Sequence, residues 1–213
     1  MSRGAGDRTA MTIDPGTPPE PANSARLECT ITFLEMTARP VLPPLHPPAL
    51  KMALLRAERP TVSFYRYLYD AVGRPWLWTD CKRLRDSELR AIVQDPSVDI
   101  FVLYVQGVPA GYAEIDRRKA PDFNLAYFGL VPEFIGRGLG GYFLNWTVRY
   151  AWEQKPEPAR FTVNTNTFDH PRALPLYQRM GFVPYARRAV WVDPDPDPHP
   201  PPEPEAVDPR GTP

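Results

Sequence analysis

Apolar and polar residues alternate along several short stretches of this 213-residue chain, and stretches with helical spacing lie between them. Alternation at every second residue is typical of half-buried strands, whereas apolar residues three or four positions apart are typical of amphipathic helices. The pattern predicts strands at residues 28–35, 99–105, 109–116, 123–131, 160–165 and 183–192. It predicts helices at residues 50–58, 61–72, 87–94, 138–153 and 171–180. Strands that come first, followed by alternating strands and helices, predict a mixed α/β architecture around one central sheet.

The two ends of the chain differ in composition from the middle. Residues 1–25 are polar and rich in glycine and proline, and residues 193–213 combine nine prolines with six acidic residues. Such segments bury little apolar surface and are typical of disorder. We therefore expect one domain at residues 26–192, a disordered N-terminal segment, and an acidic proline-rich disordered tail.

Charge and residue counts argue against several classes of protein. Lys and Arg together number 25, as do Asp and Glu, so no net charge favours nucleic acid or an anionic membrane. The two cysteines are too few for a disulfide scaffold, and the three histidines lie far apart, so we expect no metal site. No apolar run approaches the roughly 20 residues of a membrane helix, and the N-terminus lacks the apolar segment of a signal peptide. We expect a cytoplasmic protein that binds neither nucleic acid nor membrane.

A glycine-rich segment between a predicted strand and a predicted helix carries the first chemical signal. Its glycines are Gly136, Gly138, Gly140 and Gly141. Glycines allow close approach of a ligand, and the free N–H groups of a helix N-terminus favour a pyrophosphate, to which Arg137 would add positive charge. The alternative is a tight turn whose glycines serve packing alone.

The same glycines also fit the dinucleotide-binding pattern Gly-x-Gly-x-x-Gly. That pattern belongs to the first β-α-β unit of a doubly wound sheet, with further units behind it. Here only about 55 residues of the domain follow the turn, and the next strand has no clear ribose-binding acid. A dinucleotide-binding protein is therefore the weaker alternative.

A second motif lies at residues 163–182, with the sequence Val-Asn-Thr-Asn-Thr-Phe-Asp-His-Pro-Arg-Ala-Leu-Pro-Leu-Tyr-Gln-Arg-Met-Gly-Phe. It closely resembles the closing motif of the GNAT acyltransferase superfamily, Asn-x-x-Ala-x-x-Leu-Tyr-x-x-x-Gly-Phe. Residues 130–141 resemble the acetyl-CoA loop of the same superfamily. The likeness is close over residues 123–182 and looser over 26–192. It implies a GNAT-like domain whose central, mostly antiparallel, twisted sheet is flanked by helices.

The resemblance also implies an activity and the residues that bind the co-substrate. The expected reaction is N-acetylation, in which an amine attacks acetyl-CoA directly in a ternary complex without a metal. The expected acetyl-CoA contacts are Leu130, Val131, Gly136, Arg137, Gly138, Leu139, Gly140, Gly141 and His170. A backbone N–H near Leu130 or Val131 would point at the thioester oxygen. Two positions depart from the family pattern: Ile135 replaces a Gln or Arg, and His170 replaces an Asn that often holds the pantetheine arm, although His170 could instead cap the following helix.

Candidate catalytic residues follow from the resemblance and from the needs of acyl transfer. Tyr177 takes the place of the general-acid tyrosine that protonates the leaving thiolate; the alternative is a core tyrosine. Asn124 stands where histone-type members carry a catalytic Glu and cannot act as a base. Glu114 is the candidate base, acting through a water molecule, unless it is a surface strand carboxylate.

The acceptor is a small-molecule or peptide amine, and the first helices usually bind it in this family. Tyr65, Trp76 and Trp78 are candidate acceptor contacts that could stack on a cationic amine; the alternative is that they are core aromatics. A homodimer would be usual for the family. Because Ile135 and Asn124 depart from the pattern, a catalytically silent acyl-CoA-binding or regulatory module remains an alternative.

Overall fold

The computed structural model describes residues 12–13 and 26–192. Within them the strands form one eight-stranded sheet in the order β1-β8-β2-β7-β6-β5-β4-β3. The strands are β1 (Thr12–Ile13), β2 (Leu27–Met36), β3 (Met52–Arg56), β4 (Val98–Val105), β5 (Val108–Asp116), β6 (Asp122–Leu130), β7 (Arg160–Asn166) and β8 (Val183–Val192). The helices are α1 (Val62–Gly73), α2 (Asp86–Val93), α3 (Leu139–Glu153) and α4 (Ala173–Arg179). Short 3-10 turns occupy Arg74–Trp76, Asp80–Arg83 and Pro132–Phe134.

The predicted mixed α/β fold with a mostly antiparallel sheet is confirmed. Among the described strands, only β6 with β7 and β1 with β8 are parallel pairs; the other neighbours are antiparallel. Strand β2 lies between β7 and β8 and pairs with both. The first long strand is therefore held by the last two.

Helices cover the two faces of the sheet unequally. On one face α3 and α4 build a core with residues of β2, β4, β5, β6 and β7. On the other face α1 and α2 build a second core whose described strand residues come from β4, β5 and β6. The β7-β2-β8 part of this second face therefore lies outside the cover of α1 and α2.

Local sequence signals explain several element boundaries. The Thr61 side chain accepts a hydrogen bond from the Phe64 N–H at 3.3 Å and so caps the start of α1. The turn between β4 and β5 consists of Gln106 and Gly107, both with positive φ (53° and 88°), as a tight hairpin turn requires. The predicted hairpin is thus confirmed.

The predicted helix at residues 50–58 is wrong, because this stretch contains strand β3. Met52 pairs with Val105 and Arg56 with Phe101 along the edge of the sheet. An isolated helix of this length is marginal, whereas pairing with β4 supplies backbone partners along the whole segment. Tertiary pairing therefore decides the structure here.

The expectations for the two ends fall largely outside the described residues. Thr12 and Ile13 pair in parallel with Ala186 and Arg187 of β8. Residues 1–11, 14–25 and 193–213 are not described, so the disordered ends and the domain boundaries stay predictions. Among the described helices, none combines the length and the apolar character needed to cross a membrane.

Candidate active site

A cleft opens where β6 and β7 separate. The two strands pair only from Asp122 to Leu125 on β6 and from Arg160 to Val163 on β7. Beyond this point a cavity of about 840 Å³ lies between them, lined by residues of both strands and of the loops before α3 and α4. Within the described part of the chain, the backbone groups of β6 that point away from β5 here have no neighbouring strand, so they are free to bind a ligand.

The glycine-rich turn faces this cleft at the N-terminus of α3. Gly136 and Gly138 have φ of 84° and 79°, a conformation that favours glycine. A Cβ atom on Gly136, Gly138 or Gly141 would meet no protein atom within 4 Å among the described residues. No described side chain caps α3 at Gly138, which leaves the first N–H groups of the helix open. Packing therefore does not explain these three glycines.

Other members of the predicted acetyl-CoA set occupy different positions. Gly140 lines the cleft and lies against Leu130 and Leu176, where a Cβ atom would stand 3.7 and 3.9 Å from their side chains. Leu139 is fully buried in the core beneath the turn. Arg137 is exposed beside the turn, with its guanidinium 5.2 Å from the centre of the Phe134 ring. The structure thus brings the glycines to the cleft but not the side chains of Leu139 and Arg137.

Only one of the two expected backbone donors is free. The Val131 N–H donates to the Ala110 carbonyl oxygen at 2.9 Å, so Val131 is not available to a ligand. Hydrogen-bonding directions alternate along an antiparallel strand, so the N–H of Leu130 points away from β5. Leu130 also lines the cleft.

Tyr177 on α4 lies in the wall of the cleft. Its side chain is 6% exposed and packs edge-on against the rings of Phe128 and Phe182. Its hydroxyl has no hydrogen-bond partner among the described residues. Burial, and to a lesser extent the nearby Asp169 carboxylate, raises the pKa of Tyr177 above its usual value of 10. Tyr177 is therefore a neutral phenol at physiological pH.

Two tryptophans join the loop after α1 to the loop before α4. The Trp78 Nε1–H donates to Asp169 Oδ1 at 3.2 Å, and the Trp76 ring lies edge-on to the His170 ring at 5.4 Å between centres. His170 Nδ1 accepts a hydrogen bond from the Arg172 N–H at 3.1 Å, within the turn just before α4, whereas no side chain caps α4 at its N-cap residue Arg172 among the described residues. All five of these residues line the cleft.

Trp78 also has a packing role. A Cβ atom on Gly73 would overlap the Trp78 ring, and the ring lies 5.6 and 5.3 Å from those of Tyr69 and Tyr127. Trp78 is therefore both a core aromatic residue and a residue of the cleft.

Glu114 and Tyr65 do not reach the cleft and line a smaller cavity of about 240 Å³ behind it. The Tyr65 hydroxyl donates to Glu114 Oε2 at 2.6 Å, and both side chains are buried. Burial raises the pKa of Glu114 to about 7, against the lowering effect of the Tyr65 hydrogen bond. Asp80 and Tyr127 line both cavities. The alternative of a surface carboxylate for Glu114 is wrong, because α1 covers this part of β5.

Sequence reasoning missed several residues of the cleft. Asp169 accepts hydrogen bonds from Thr165 Oγ1 at 2.8 Å and from the Asn166 N–H at 2.9 Å, which fixes the loop after β7. The available sequence signal for Asp169 was its position inside the second motif, next to His170. Asp80 and Tyr127 carried no local signal, because their role depends on how α1 and the following loop sit over β6.

Asn124 and Cys81 are consistent with non-catalytic roles. Asn124 lines the cleft, and its Oδ1 accepts a hydrogen bond from Thr162 Oγ1 at 3.0 Å. Burial raises the pKa of the Cys81 thiol to about 11, so it stays protonated. Across residues 12–13 and 26–192 no cluster of three or more His, Cys, Asp or Glu side chains could hold a metal ion.

The fold and the cleft define the class of protein. Parallel pairing is confined to two short strand pairs, so this is not the doubly wound sheet of dinucleotide-binding proteins. The family model of the acetyltransferase (GNAT) domain matches residues 79–190, more than half of the chain. The chain belongs to this GNAT acetyltransferase family.

Solved structures show the same fold. A GCN5-related N-acetyltransferase from Sphaerobacter thermophilus is 16% identical, with a TM-score of 0.54 over 79% of this chain and 52% of that chain. One from Kribbella flavida is 15% identical, with a TM-score of 0.51 over 78% and 59% of the two chains. A functionally unknown conserved protein from Staphylococcus epidermidis is 16% identical, with a TM-score of 0.53 over 77% and 61%.

The present chain spans between about half and two thirds of the length of these three structures. A search of curated protein sequences gives no match. The similarity therefore shows the family and the fold.

Proposed function

We propose that the protein transfers an acetyl group from acetyl-CoA to an amine by direct attack within a ternary complex. One observation carries this proposal: the open glycine turn before α3 and the free hydroxyl of Tyr177 face a single cleft, at the point where β6 and β7 separate. Membership of the GNAT acetyltransferase family supports it.

The residues around the turn fit the phosphates of acetyl-CoA. The uncapped N–H groups at the start of α3 provide hydrogen-bond donors and the positive end of the helix dipole. Arg172 and Arg179 line the same cleft and add positive charge. Ile135 lines the cleft without a polar side chain, so backbone groups carry this part of the binding. Acetyl-CoA supplies the activated thioester.

Tyr177 acts as the proton donor to the departing sulfur. Because its raised pKa keeps the phenol protonated at neutral pH, the hydroxyl is always in the donating form. The unpaired N–H of Leu130 stabilises negative charge on the thioester oxygen. His170 orients the loop before α4 and stays a candidate contact for the pantetheine arm.

Glu114 is the proposed proton acceptor for the amine, acting through water. Its pKa of about 7 suits a general base at neutral pH. The cavity that holds it shares Asp80 and Tyr127 with the cleft, so water in this cavity is the proposed connection.

Replacing Tyr177 by Phe tests the proposal. We expect Tyr177→Phe to lower kcat at least about tenfold, because general acid catalysis contributes at least this much. Acetyl-CoA affinity, measured by calorimetry, should be nearly unchanged. Tyr67→Phe on the exposed surface of α1 is the matched control. Full activity of Tyr177→Phe would remove Tyr177 from the mechanism.

The position of Glu114 favours a second candidate, a catalytically silent acyl-CoA-binding module. Neither Glu114 nor Tyr65 lines the cleft, and Asn124 on β6 cannot accept a proton. Such a module would bind acetyl-CoA but release no CoA thiol with any amine. Thiol release from acetyl-CoA in the presence of amines separates the two functions.

A further inference from the structure

The cleft extends past β7 onto the sheet face that α1 and α2 leave uncovered. Its lining there consists of residues from β2, β7 and β8: Cys29, Ile31, Asn164, Asn166, Val190 and Val192. We call this surface the floor of the cleft.

Strand register places the floor residues on one face. Ile31 pairs with Asn166, and Cys29 pairs with Val190. Because side chains alternate between the faces of a strand, residues two apart on β2 share a face. Leu34, three residues beyond Ile31 on the same strand, and its partner Val163 on β7 belong to the core under α3 and α4 on the other face. The floor is therefore apolar along β2 and β8, with amides along β7.

The charged residues that line the cleft differ in sign between its parts. The cationic ones, Arg172 and Arg179, lie in the loop before α4 and in α4 itself. Asp80, in the loop between α1 and α2, is exposed and forms no hydrogen bond or ion pair with another described residue. The Asp169 carboxylate, in contrast, already accepts three hydrogen bonds.

Aromatic rings lie beside Asp80 in the lining of the cleft. They belong to Tyr69, Trp78 and Tyr127, whose centres are 5.2 to 5.6 Å apart. Ring faces attract cations, and a carboxylate without a partner attracts an ammonium group. This side of the cleft thus suits a cation, and the floor suits apolar groups.

We propose that the acceptor is a primary amine carried on an apolar body, with its ammonium group bound near Asp80 and its body on the floor. This inference rests on the proposed acetyltransferase function. During transfer the amine nitrogen bonds to the acetyl carbon and the carbon–sulfur bond breaks. The ammonium group loses two protons in total, of which one ends on sulfur and one in solvent.

The chemistry of the cleft disfavours other amines. An amino sugar would place hydroxyl groups against the side chains of Ile31, Val190 and Val192, which offer no hydrogen-bond partner. An acidic amino acid would bring a second carboxylate close to Asp80. An alkylamine or arylalkylamine avoids both penalties.

A panel of amines tests the inference with the full chain and acetyl-CoA. Phenethylamine and hexylamine represent the proposed class, and glucosamine and glutamate represent the polar alternatives. We expect kcat/KM, measured by CoA thiol release, to be at least about tenfold higher for phenethylamine than for glucosamine. A ratio of this size is within the range of discrimination that apolar pockets achieve.

Two variants locate the acceptor. Asp80→Asn, at an exposed position, should raise KM for phenethylamine about fivefold, the size expected for an exposed charge pair. Asp122→Asn, at the far end of β6, is its control. Val190→Asp should raise the same KM about tenfold, whereas Val183→Asp at the exposed start of β8 should not. Neither cleft variant should change KM for acetyl-CoA.

The outcomes separate this inference from the proposed function. If polar amines are the better substrates, or if KM for phenethylamine is unchanged in Asp80→Asn and Val190→Asp, the acceptor class is wrong and the acetyltransferase function stands. If acetyl-CoA binds in calorimetry but no amine releases thiol, the acceptor inference falls in favour of the silent module. If acetyl-CoA does not bind, both proposals fall.

Discussion

Glu114 allows a quantitative prediction, because it is a carboxyl group buried on β5 under α1. Its side chain is 3% exposed, and burial raises its pKa from 4.5 to about 7. The folded protein therefore holds this proton over a pH range in which the unfolded chain releases it. The free energy of unfolding then falls as pH rises from about 4.5 to about 7, since the native state binds more protons.

The magnitude follows from the two pKa values. Because one pKa step corresponds to 1.36 kcal/mol, the buried carboxyl lowers the stability at pH 8, relative to pH 4, by about 3 kcal/mol. Glu114→Gln keeps the shape of the side chain and removes its titration. We expect the free energy of unfolding of the variant, relative to that of the wild type, to rise by about this amount between pH 4 and pH 8.

Urea unfolding of both proteins at constant ionic strength provides the assay. Subtracting the two curves isolates Glu114 from other titrating groups, including its neighbour Asp116. Tyr65→Phe removes the hydrogen bond that favours the charged carboxylate, so in that variant the midpoint of the pH effect should move upward. A wild-type minus Glu114→Gln difference that stays constant within about 0.5 kcal/mol across this range would refute the reasoning.

Two further substitutions test the glycine turn and a buried ion-pair cluster. Gly138→Ala should lose at least about tenfold in acetyl-CoA affinity, because a methyl group enters the open side of the turn. Gly107→Ala, which has a similar positive φ in the hairpin, is the control: it should share the folding penalty of about 1 kcal/mol but keep the wild-type affinity. Equal acetyl-CoA affinities of the two variants in calorimetry would contradict this prediction. Asp99→Asn should destabilise the protein by about 1 to 2 kcal/mol in urea unfolding, because the two partly exposed guanidinium groups of Arg56 and Arg117 lose their charge-assisted hydrogen bonds to this buried carboxylate. A change below about 0.5 kcal/mol would show that these ion pairs contribute little.

The helices and strands were predictable where periodicity and local signals agreed. The apolar stripe of α3 follows glycines that mark its start, and the β4–β5 hairpin follows from Gln106-Gly107. The segment that became β3 has apolar residues compatible with either a helix or a strand. Its structure depends on the neighbouring β4, which the local sequence does not reveal.

The site was predictable to the extent that it is local in sequence. The glycine turn and Tyr177 each belong to a short motif, and the structure brings both to one cleft. The floor was not predictable, because it depends on Ile31 pairing with Asn166 across most of the chain. Glu114 was placed on the correct strand, but the packing of α1 that encloses it in a separate cavity left no local pattern.

The position of β2 has a consequence for the order of folding. During synthesis β2 leaves the ribosome before every other long strand of the described sheet, whereas its partners β7 and β8 are made after all the others. Pairing at such separation closes a long loop and is slow compared with hairpin formation. The nascent chain can therefore form the β4–β5 hairpin early. The β7-β2-β8 part of the sheet, which carries the floor of the cleft, assembles only when β7 and β8 become available. The floor, which is proposed to hold the apolar body of the acceptor, is thus complete only after β7 and β8 have paired with β2.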